Sequence, residues 1–254
     1  MSTEADRVLT ELHGATLRVA MNRPEKKNAL TLDMYERLTA AVLRAGSDDA
    51  VRVLLLTGAP GVFTAGNDLG DFMKSPPTGE DSPVMRFLKA LVELDKPVVV
   101  AVDGAAVGIG TTMLLHCDFI IATDRAKFVM PFTKLGLVPE GGSSLLVPAL
   151  VGYQRAAAWL LLGQPFDGKE AYDAGLVHRV VAPSELEQVA EALANELAAL
   201  PREALRLSRR LLKQGTQAAL KETMTKEGLL FVERLKSPET MEALMAFMSK
   251  KPGA

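Results

Sequence analysis

The sequence predicts an α/β fold of stacked parallel strands, followed by an all-helical C-terminal region. Up to about residue 182, short β-rich apolar runs alternate with helical segments, whereas the chain after Pro183 shows helical patterning only. The 254 residues are 48% hydrophobic, which is enough for one large core or a core with an appendage. We therefore predict a core that carries the functional site over residues 1–182 and a helical region over residues 183–254.

The first half of the chain supplies clear strand and helix signals. Residues 13–21 alternate apolar and polar side chains and end at the turn formed by residues 22–24. Thr31 is a good N-cap for the helix that follows, and Gly46 is a good stop. Residues 51–56 have few polar interruptions, which predicts a strand buried on both faces.

The C-terminal region shows three helix starts. Residues 184–187, Ser-Glu-Leu-Glu, form a capping-box pattern; Pro201 suits a first helical turn; and residues 237–238, Ser-Pro, predict an N-cap followed by proline. An apolar stripe on the last helix packs either into its own core or against another subunit. Its members are Met241, Leu244, Met245 and Met248.

Charge and composition exclude several classes of protein. A formal net charge of -2 and the lack of basic runs argue against nucleic-acid binding. The single Cys117 excludes an intramolecular disulfide and is expected to be a small buried hydrophobe. No apolar run reaches the roughly eighteen residues needed to span a membrane, and the mixed, acidic N-terminus shows no secretory signal. We expect a cytoplasmic protein without a metal site, because no His/Cys/Asp/Glu cluster has metal-ligand spacing.

Two glycine-punctuated turns carry the main functional signal. Residues 63–69 follow the apolar run 51–56, and residues 103–112 follow the run 98–102. Glycine allows close backbone approach, and a turn that opens a helix leaves amide N–H groups unpaired. Two such turns side by side can clamp one carbonyl oxygen, although each alone is also compatible with a tight βα connection. Residues 75–83, rich in Pro and acidic residues, predict a loop that either covers a ligand or is a solvated connection.

Several segments together resemble the crotonase family, also called the enoyl-CoA hydratase/isomerase superfamily. The resemblance spans nearly the whole chain and rests on residues 22–30, 63–69, 102–122, 128–144 and 171–181. It implies a crotonase (ClpP-like) fold, with a repeated ββα spiral core and C-terminal helices through which the family trimerises. It also implies an acyl-CoA thioester substrate, a homo-trimer or dimer of trimers, and no cofactor other than the coenzyme A within the substrate.

The resemblance assigns the oxyanion hole to two backbone amides, those of Asn67 and Ile109. Each donor is worth roughly 3 kcal/mol in the transition state, and a helix opened by Gly108 and Gly110 would add its dipole. The hydratase pattern is broken, because Thr112 and Phe132 stand where typical hydratases carry glutamates. Water addition by two carboxylates is therefore doubtful.

Glu140 remains as the candidate general base. The string around it, residues 134–144, is similar to that of 3,2-enoyl-CoA isomerases of the peroxisomal type, which carry their catalytic glutamate here. One carboxylate suffices to move a proton from the alpha to the gamma carbon, and an apolar pocket including Phe132 would raise its pKa. The alternative is a carboxylate that only stabilises a helix N-terminus.

Further substrate contacts are implied by the resemblance more loosely. In the family, the segment of Lys26, Lys27 and Ala29 borders the adenine and phosphates, and Ala65, Asp68 and Leu69 border the pantetheine and adenine side. Phe231, Lys250 and Lys251 can reach a neighbouring subunit's ligand, and each lysine is equally compatible with a solvated charge. The other predicted substrate contacts are Gly66, Gly108, Gly110, Thr112 and Phe132.

Other functions remain as alternatives. Within the superfamily, the protein can instead be an enoyl-CoA hydratase or catalyse another acyl-CoA reaction; an inactive acyl-CoA-binding protein would keep the glycine turns without needing a carboxylate. Ser143 and Ser144 with a histidine would suggest a serine hydrolase, but no Gly-x-Ser-x-Gly elbow is present. We interpret His116 as a core residue, and His13 and His178 as surface or structural residues.

Overall fold

Two β-sheets form the centre of the molecule. The structure is a computed structural model and describes residues 7–74, 76, 79 and 81–249. The larger sheet has the strand order β1 (Val8–His13), β2 (Thr16–Met21), β3 (Val53–Thr57), β5 (Val98–Val102), β7 (Phe119–Thr123), β10 (Arg179–Val181). The smaller sheet has the order β4 (Val62–Thr64), β6 (Ala105–Val107), β8 (Lys127–Val129), β9 (Phe166–Asp167).

Successive strand pairs alternate between the two sheets. The pairs β3–β4, β5–β6 and β7–β8 each give one strand to the large sheet and one to the small sheet. Helices intervene between these pairs, and all pairings within the two sheets are parallel except β1 with β2 and β8 with β9. This arrangement is the repeated ββα unit that the sequence resemblance implies.

The N-terminal strand prediction was incomplete. Residues 13–21 were expected to form one strand, but the structure has an antiparallel hairpin, in which His13 pairs with Thr16 across Gly14 at φ 58°. Five of the six residues of β1 are exposed. Because an exposed strand needs no apolar side chains on alternate positions, the sequence of β1 lacks the alternating pattern by which a strand is recognised.

Ten helices surround the sheets in the part of the chain that the structure describes. Thr31 caps α1 as predicted, since its side chain accepts a hydrogen bond from Met34 N, but α1 runs one residue past Gly46. The predicted loop over residues 75–83 lies between α2 and Pro83, the first residue of α3; residues 75, 77, 78 and 80 lie outside the described residues. The helices are α1 (Leu32–Ser47), α2 (Leu69–Lys74), α3 (Pro83–Glu93), α4 (Ile109–Thr112), α5 (Ser143–Val151), α6 (Tyr153–Leu160), α7 (Gly168–Asp173), α8 (Leu186–Ala199), α9 (Arg202–Leu235) and α10 (Pro238–Ser249).

The three C-terminal helix starts differ in how well the sequence predicted them. The capping box predicted over residues 184–187 does not form. Residues 182–185 form a turn instead, in which the Glu185 carboxylate accepts the Ala182 N–H at 3.2 Å, and α8 begins at Leu186. Pro201 is the N-cap of α9 rather than part of its first turn. The Ser237 cap is confirmed, because its hydroxyl accepts the Thr240 N–H at 3.2 Å.

The C-terminal helices pack directly on the sheets. Apolar residues of α8 cover the outer face of β3, β5 and β7, so these strands are buried on both faces, as predicted for residues 51–56. On α10, Leu244 is buried within its own chain whereas Met245 is 56% exposed; the Met248 side chain lies outside the described part. The predicted apolar stripe is therefore not one exposed face. In the region that the structure covers, no helix combines the length and apolarity needed to cross a bilayer.

Candidate active site

The two glycine turns lie side by side in the structure. They follow β4 and β6, which are parallel neighbours in the small sheet. Gly66 has φ 84°, and a Cβ built on it would lie 2.7 Å from the Val107 carbonyl oxygen. A Cβ on Gly110 would lie 2.5 Å from Thr64 Cγ2. Both positions therefore require glycine, and this close approach brings Asn67 and Ile109 onto adjacent turns.

The amides of Asn67 and Ile109 are free to bind a ligand. Leu30 N donates to Gly66 O and Asp68 N donates to Leu30 O, at 2.8 and 2.9 Å, so the Asn67 N–H points away from this bridge. Ile109 is the first residue of α4, where an amide has no partner within the helix. Within the described residues, neither amide donates to another protein group. The predicted pair of oxyanion donors is thus geometrically available.

The helix dipole expected behind Gly108 is small. Gly108, at φ 55°, opens α4, but α4 has only four residues and continues as a 3-10 turn, Met113–His116. The local N–H groups, rather than a long macrodipole, therefore supply the positive field at this turn.

A cavity of about 770 Å³, including its open mouth, adjoins the first turn. Among its described lining residues, Glu140 is the single ionisable side chain. Phe132 is buried but does not line this cavity, which corrects the predicted pocket; its aromatic walls are Phe72 and Phe231, whose rings meet edge to face at 6.2 Å. The described lining residues are Asn67, Phe72, Gly79, Ser82, Val84, Met85, Glu140, Gly141, Met224, Thr225, Gly228, Leu229, Phe231 and Val232.

Burial, together with the nearby Glu227 carboxylate, raises the pKa of Glu140 to about 7, in spite of a hydrogen bond from Thr112 that favours the ionised form. Thr112 Oγ1 donates to Glu140 Oε1. A carboxyl group with this pKa accepts and returns protons readily near neutral pH. Thr112, which was predicted to contact substrate, instead holds the candidate base from within the core.

The segment that carries Glu140 is anchored by Glu227 of α9, which the sequence reasoning missed. The buried Glu227 carboxylate accepts hydrogen bonds from Gly142 N at 2.6 Å, Ser144 N at 2.9 Å and Ser144 Oγ at 2.5 Å. Glu227, rather than Glu140, therefore caps the N-terminus of α5. One signal was present in the sequence: Glu227 interrupts an apolar helix face at the spacing Leu220, Met224, Phe231.

His116 anchors the same segment from the opposite side. Its Nε2 lies 2.8 Å from Gly141 O, and burial lowers its pKa to about 4, so the neutral ring donates this hydrogen bond. Ser143 Oγ donates to Glu140 O and Ser144 Oγ donates to Glu227, so neither serine pairs with a histidine. The serine-hydrolase alternative therefore has no support in this geometry.

The remaining predicted substrate-binding residues lie beside the first oxyanion turn or away from it. Lys27 O accepts the Ala65 N–H at 2.9 Å, which places the segment of Lys26, Lys27 and Ala29 beside the first oxyanion turn. Asp68 is held by Arg23 at 2.7 Å, so its carboxylate is already engaged. Leu69 begins α2. Lys250 and Lys251 lie outside the described residues.

The histidines and the cysteine considered in the sequence are held in contacts that suggest no catalytic role. His13 is exposed and bonds to Glu11, and His178 is exposed and packs edge-on against Phe119. Burial raises the pKa of the Cys117 thiol to about 12, which makes it unreactive near neutral pH. No group of three or more His, Cys, Asp or Glu that could hold a metal ion occurs in the described part of the chain.

Comparisons with known proteins cover nearly the whole chain. The family model described as Enoyl-CoA hydratase/isomerase matches residues 11–253. Enoyl-CoA delta isomerase 2 of Rattus norvegicus is 34% identical over 98% of this chain, which spans only 65% of that relative's length. The 1,2-epoxyphenylacetyl-CoA isomerase of Escherichia coli K12 is 36% identical, with 96% of each chain covered. The solved structure of Pseudomonas aeruginosa OdaA is 44% identical, has a TM-score of 0.94, and matches 96% of this chain and 100% of its own. These likenesses confirm the predicted fold.

Proposed function

Because the chain belongs to the crotonase, or enoyl-CoA hydratase/isomerase, family, we propose that it isomerises 3-enoyl-CoA to 2-enoyl-CoA. Glu140 is the base in this proposal, and the amides of Asn67 and Ile109 form the oxyanion hole. The coenzyme A of the substrate would lie along the strip of Lys26, Lys27 and Ala29.

One observation carries the choice of reaction. Glu140 is the single ionisable side chain among the described residues lining the cavity, and its pKa of about 7 suits a proton carrier. Isomerisation needs one group that removes and returns a proton, whereas hydration by two carboxylates needs a second one. The residue hydrogen-bonded to Glu140 is Thr112, which cannot take that part.

The proposed chemistry is a proton shift within the bound thioester. The Glu140 carboxylate removes a proton from the carbon alpha to the thioester, and the electrons of that C–H bond form a dienolate. The developing negative charge on the thioester oxygen is held by two amides, each worth roughly 3 kcal/mol. Glu140 then returns the proton to the gamma carbon, and the double bond moves into conjugation. The reaction consumes no co-reactant and needs no cofactor besides the substrate's coenzyme A.

Assembly and location stay predictions. We propose a homo-trimer or a dimer of trimers, in line with the resemblance on which the sequence prediction rested. Exposed apolar side chains on the last two helices, including Leu212, Leu229 and Phe247, support an interface there. A cytoplasmic location is favoured by the sequence composition alone.

Substituting Glu140 by Gln tests the proposal. Glu140→Gln keeps the size and the Thr112 hydrogen bond but removes the base, so turnover of 3-enoyl-CoA should fall about 100-fold or more. Binding of a saturated acyl-CoA, measured by calorimetry, should persist because the oxyanion amides are unchanged. Above pH 7 the variant should also unfold at a higher temperature, since it no longer buries an ionised carboxylate.

The control is Glu170→Gln, a glutamate that accepts a hydrogen bond from Trp159 Nε1 outside the cavity and should retain full turnover. Near-normal turnover by Glu140→Gln would place the base elsewhere. A wild-type protein that binds acyl-CoA without converting it would favour the inactive binding protein.

A further inference from the structure

We propose that Gly228 of α9, opposite Met85 of α3, sets the length of the apolar acyl chain that the cavity accepts. The inference rests on the proposed function in taking an acyl-CoA as the ligand. It adds the substrate class: acyl chains whose tail, beyond the reacting carbons, is mainly hydrocarbon.

The cavity-facing side of α9 is apolar apart from Thr225, and it is interrupted by one glycine. Met224, Gly228 and Phe231 follow one another at spacings of four and three residues, which places them on one helix face. Met224 and Phe231 are buried on either side, whereas position 228 has no side chain. Glycine destabilises a helix interior relative to alanine, so the fold alone does not favour a glycine at position 228.

The wall opposite this gap is flexible and apolar. A Cβ built on Gly228 would lie 3.6 Å from Met85 Cε, which is ordinary van der Waals contact. An alanine therefore fits at position 228, but a larger side chain must displace Met85 or fill the cavity. Because methionine is unbranched and adaptable, the Met85 side chain can move aside for a ligand tail in the wild-type chain.

The side chains that line the cavity indicate which kind of acyl tail it binds. Val84 and Met85 line one side, and Phe72, Phe231 and Val232 line the others, so the walls are largely apolar; Asn67, Ser82 and Thr225 are uncharged polar side chains that also line the cavity. The ionisable group, Glu140, lies beside Gly141. A hydrocarbon chain is stabilised by such walls at about 0.8 kcal/mol per buried methylene, or roughly four-fold in affinity. The reacting end belongs at Glu140 and the oxyanion turn, so the rest of the chain must run between α3 and α9.

The test compares two chain lengths in two opposite variants. In Gly228→Leu, we expect kcat/KM for 3-dodecenoyl-CoA to fall roughly 50-fold, as for the exclusion of three methylenes, and that for 3-hexenoyl-CoA to change less than about three-fold. In Met85→Ala, the preference should shift towards the longer chain. Gly228→Ala, which fits without displacement, should give a smaller loss and ensures a folded variant.

Gly215→Leu is the matched control. It lies on the same helix, gains the same helix propensity and meets no atom within 4 Å, so its chain-length preference should equal that of the wild type. An equal effect of Gly228→Leu on both chain lengths, or no effect on either, would overturn the proposal.

A binding measurement separates this inference from the proposed reaction. Calorimetric titration with saturated dodecanoyl-CoA and hexanoyl-CoA requires no turnover. If wild type binds both but converts neither 3-enoyl-CoA, the isomerase proposal fails, and selective loss of dodecanoyl-CoA affinity in Gly228→Leu still supports the chain-length role. If the affinities for the two esters fall together, the chain-length role is wrong even where isomerisation is observed.

Discussion

At the residue scale, Glu140 is held between opposing influences on its charge. Burial and the Glu227 carboxylate raise its pKa, whereas the Thr112 hydroxyl favours the ionised form. Burial and the nearby Glu140 raise the pKa of Tyr35 well above 10, so Tyr35 stays protonated. The buried His116, with a pKa of about 4, is neutral at physiological pH. Of these groups, Glu140 is the one expected to change its charge near pH 7.

This balance predicts the pH dependence of the enzyme. As the proposed base, Glu140 must be ionised, so kcat/KM should rise with pH through about 7 and then level off. Thr112→Val keeps the shape but removes the donor, so the ionised form loses stabilisation and the rise should move about one unit higher. Activity of the variant should be low at pH 7 and largely recovered near pH 9, as measured by initial rates across that range.

Thr111→Val provides the comparison, since Thr111 is an equally buried neighbour whose hydroxyl donates to Ala106 O rather than to Glu140. Its pH profile should keep the wild-type midpoint. Coincident midpoints for both variants would mean that Thr112 does not tune the base.

The candidate reacting groups are easier to recognise in the sequence than the residues that hold them in place. The glycine turns and the isolated Glu140 are local patterns, and both were recognisable before the structure. The anchors His116 and Glu227 act on Gly141, Gly142 and Ser144 from 25 or more residues away, and no local pattern records such pairings. The prediction that Phe132 lines the cavity failed for the same reason: the walls come from α2, α3 and α9, which are distant from Phe132 in the sequence.

At the element scale, α9 links the C-terminal region to the segment of Glu140, the proposed base. Glu227→Ala would leave Gly142 N and Ser144 N buried without an acceptor, which should lower the free energy of unfolding by about 3 kcal/mol. The segment carrying Glu140 would lose its anchor, so kcat should fall more than KM changes. Thermal unfolding and steady-state kinetics measure the two effects.

Glu222→Ala tests whether this effect is specific to the anchor. Glu222 is on the same helix, but it is exposed and forms a surface ion pair with Lys226, so both stability and kcat should stay near wild type. Unchanged kinetics in Glu227→Ala would show that the base keeps its place without α9.

Elements with a complete local signal were predictable. The Thr31 and Ser237 caps and the buried strand β3 each have the residue types that their geometry requires. The start of α8 was not, because Glu185 bonds back to Ala182 and the competing capping box never forms. Strand β1 was missed because its exposed side chains carry no hydrophobic period.

At the scale of the whole molecule, the exposed apolar residues of the last two helices predict association. Soluble monomers rarely leave such patches open, and closed symmetry is the usual way of covering them. Light scattering should give a mass of three or six subunits, and Met245→Glu, at a 56% exposed position, should reduce it. Leu43→Glu, at an exposed position on α1, should not. An active wild-type monomer at micromolar concentration would contradict this prediction.

In the proposed reaction, one carboxylate moves a proton within the substrate and no second carboxylate activates water. Its most direct test is the ratio of two kcat/KM values, for isomerisation of 3-hexenoyl-CoA and for hydration of crotonyl-CoA, with products identified by mass. We predict that isomerisation, which leaves the mass unchanged, is at least about 100-fold faster, as expected when an acid–base partner for water is missing. Hydration of crotonyl-CoA at a rate comparable with isomerisation would contradict the proposed isomerase function.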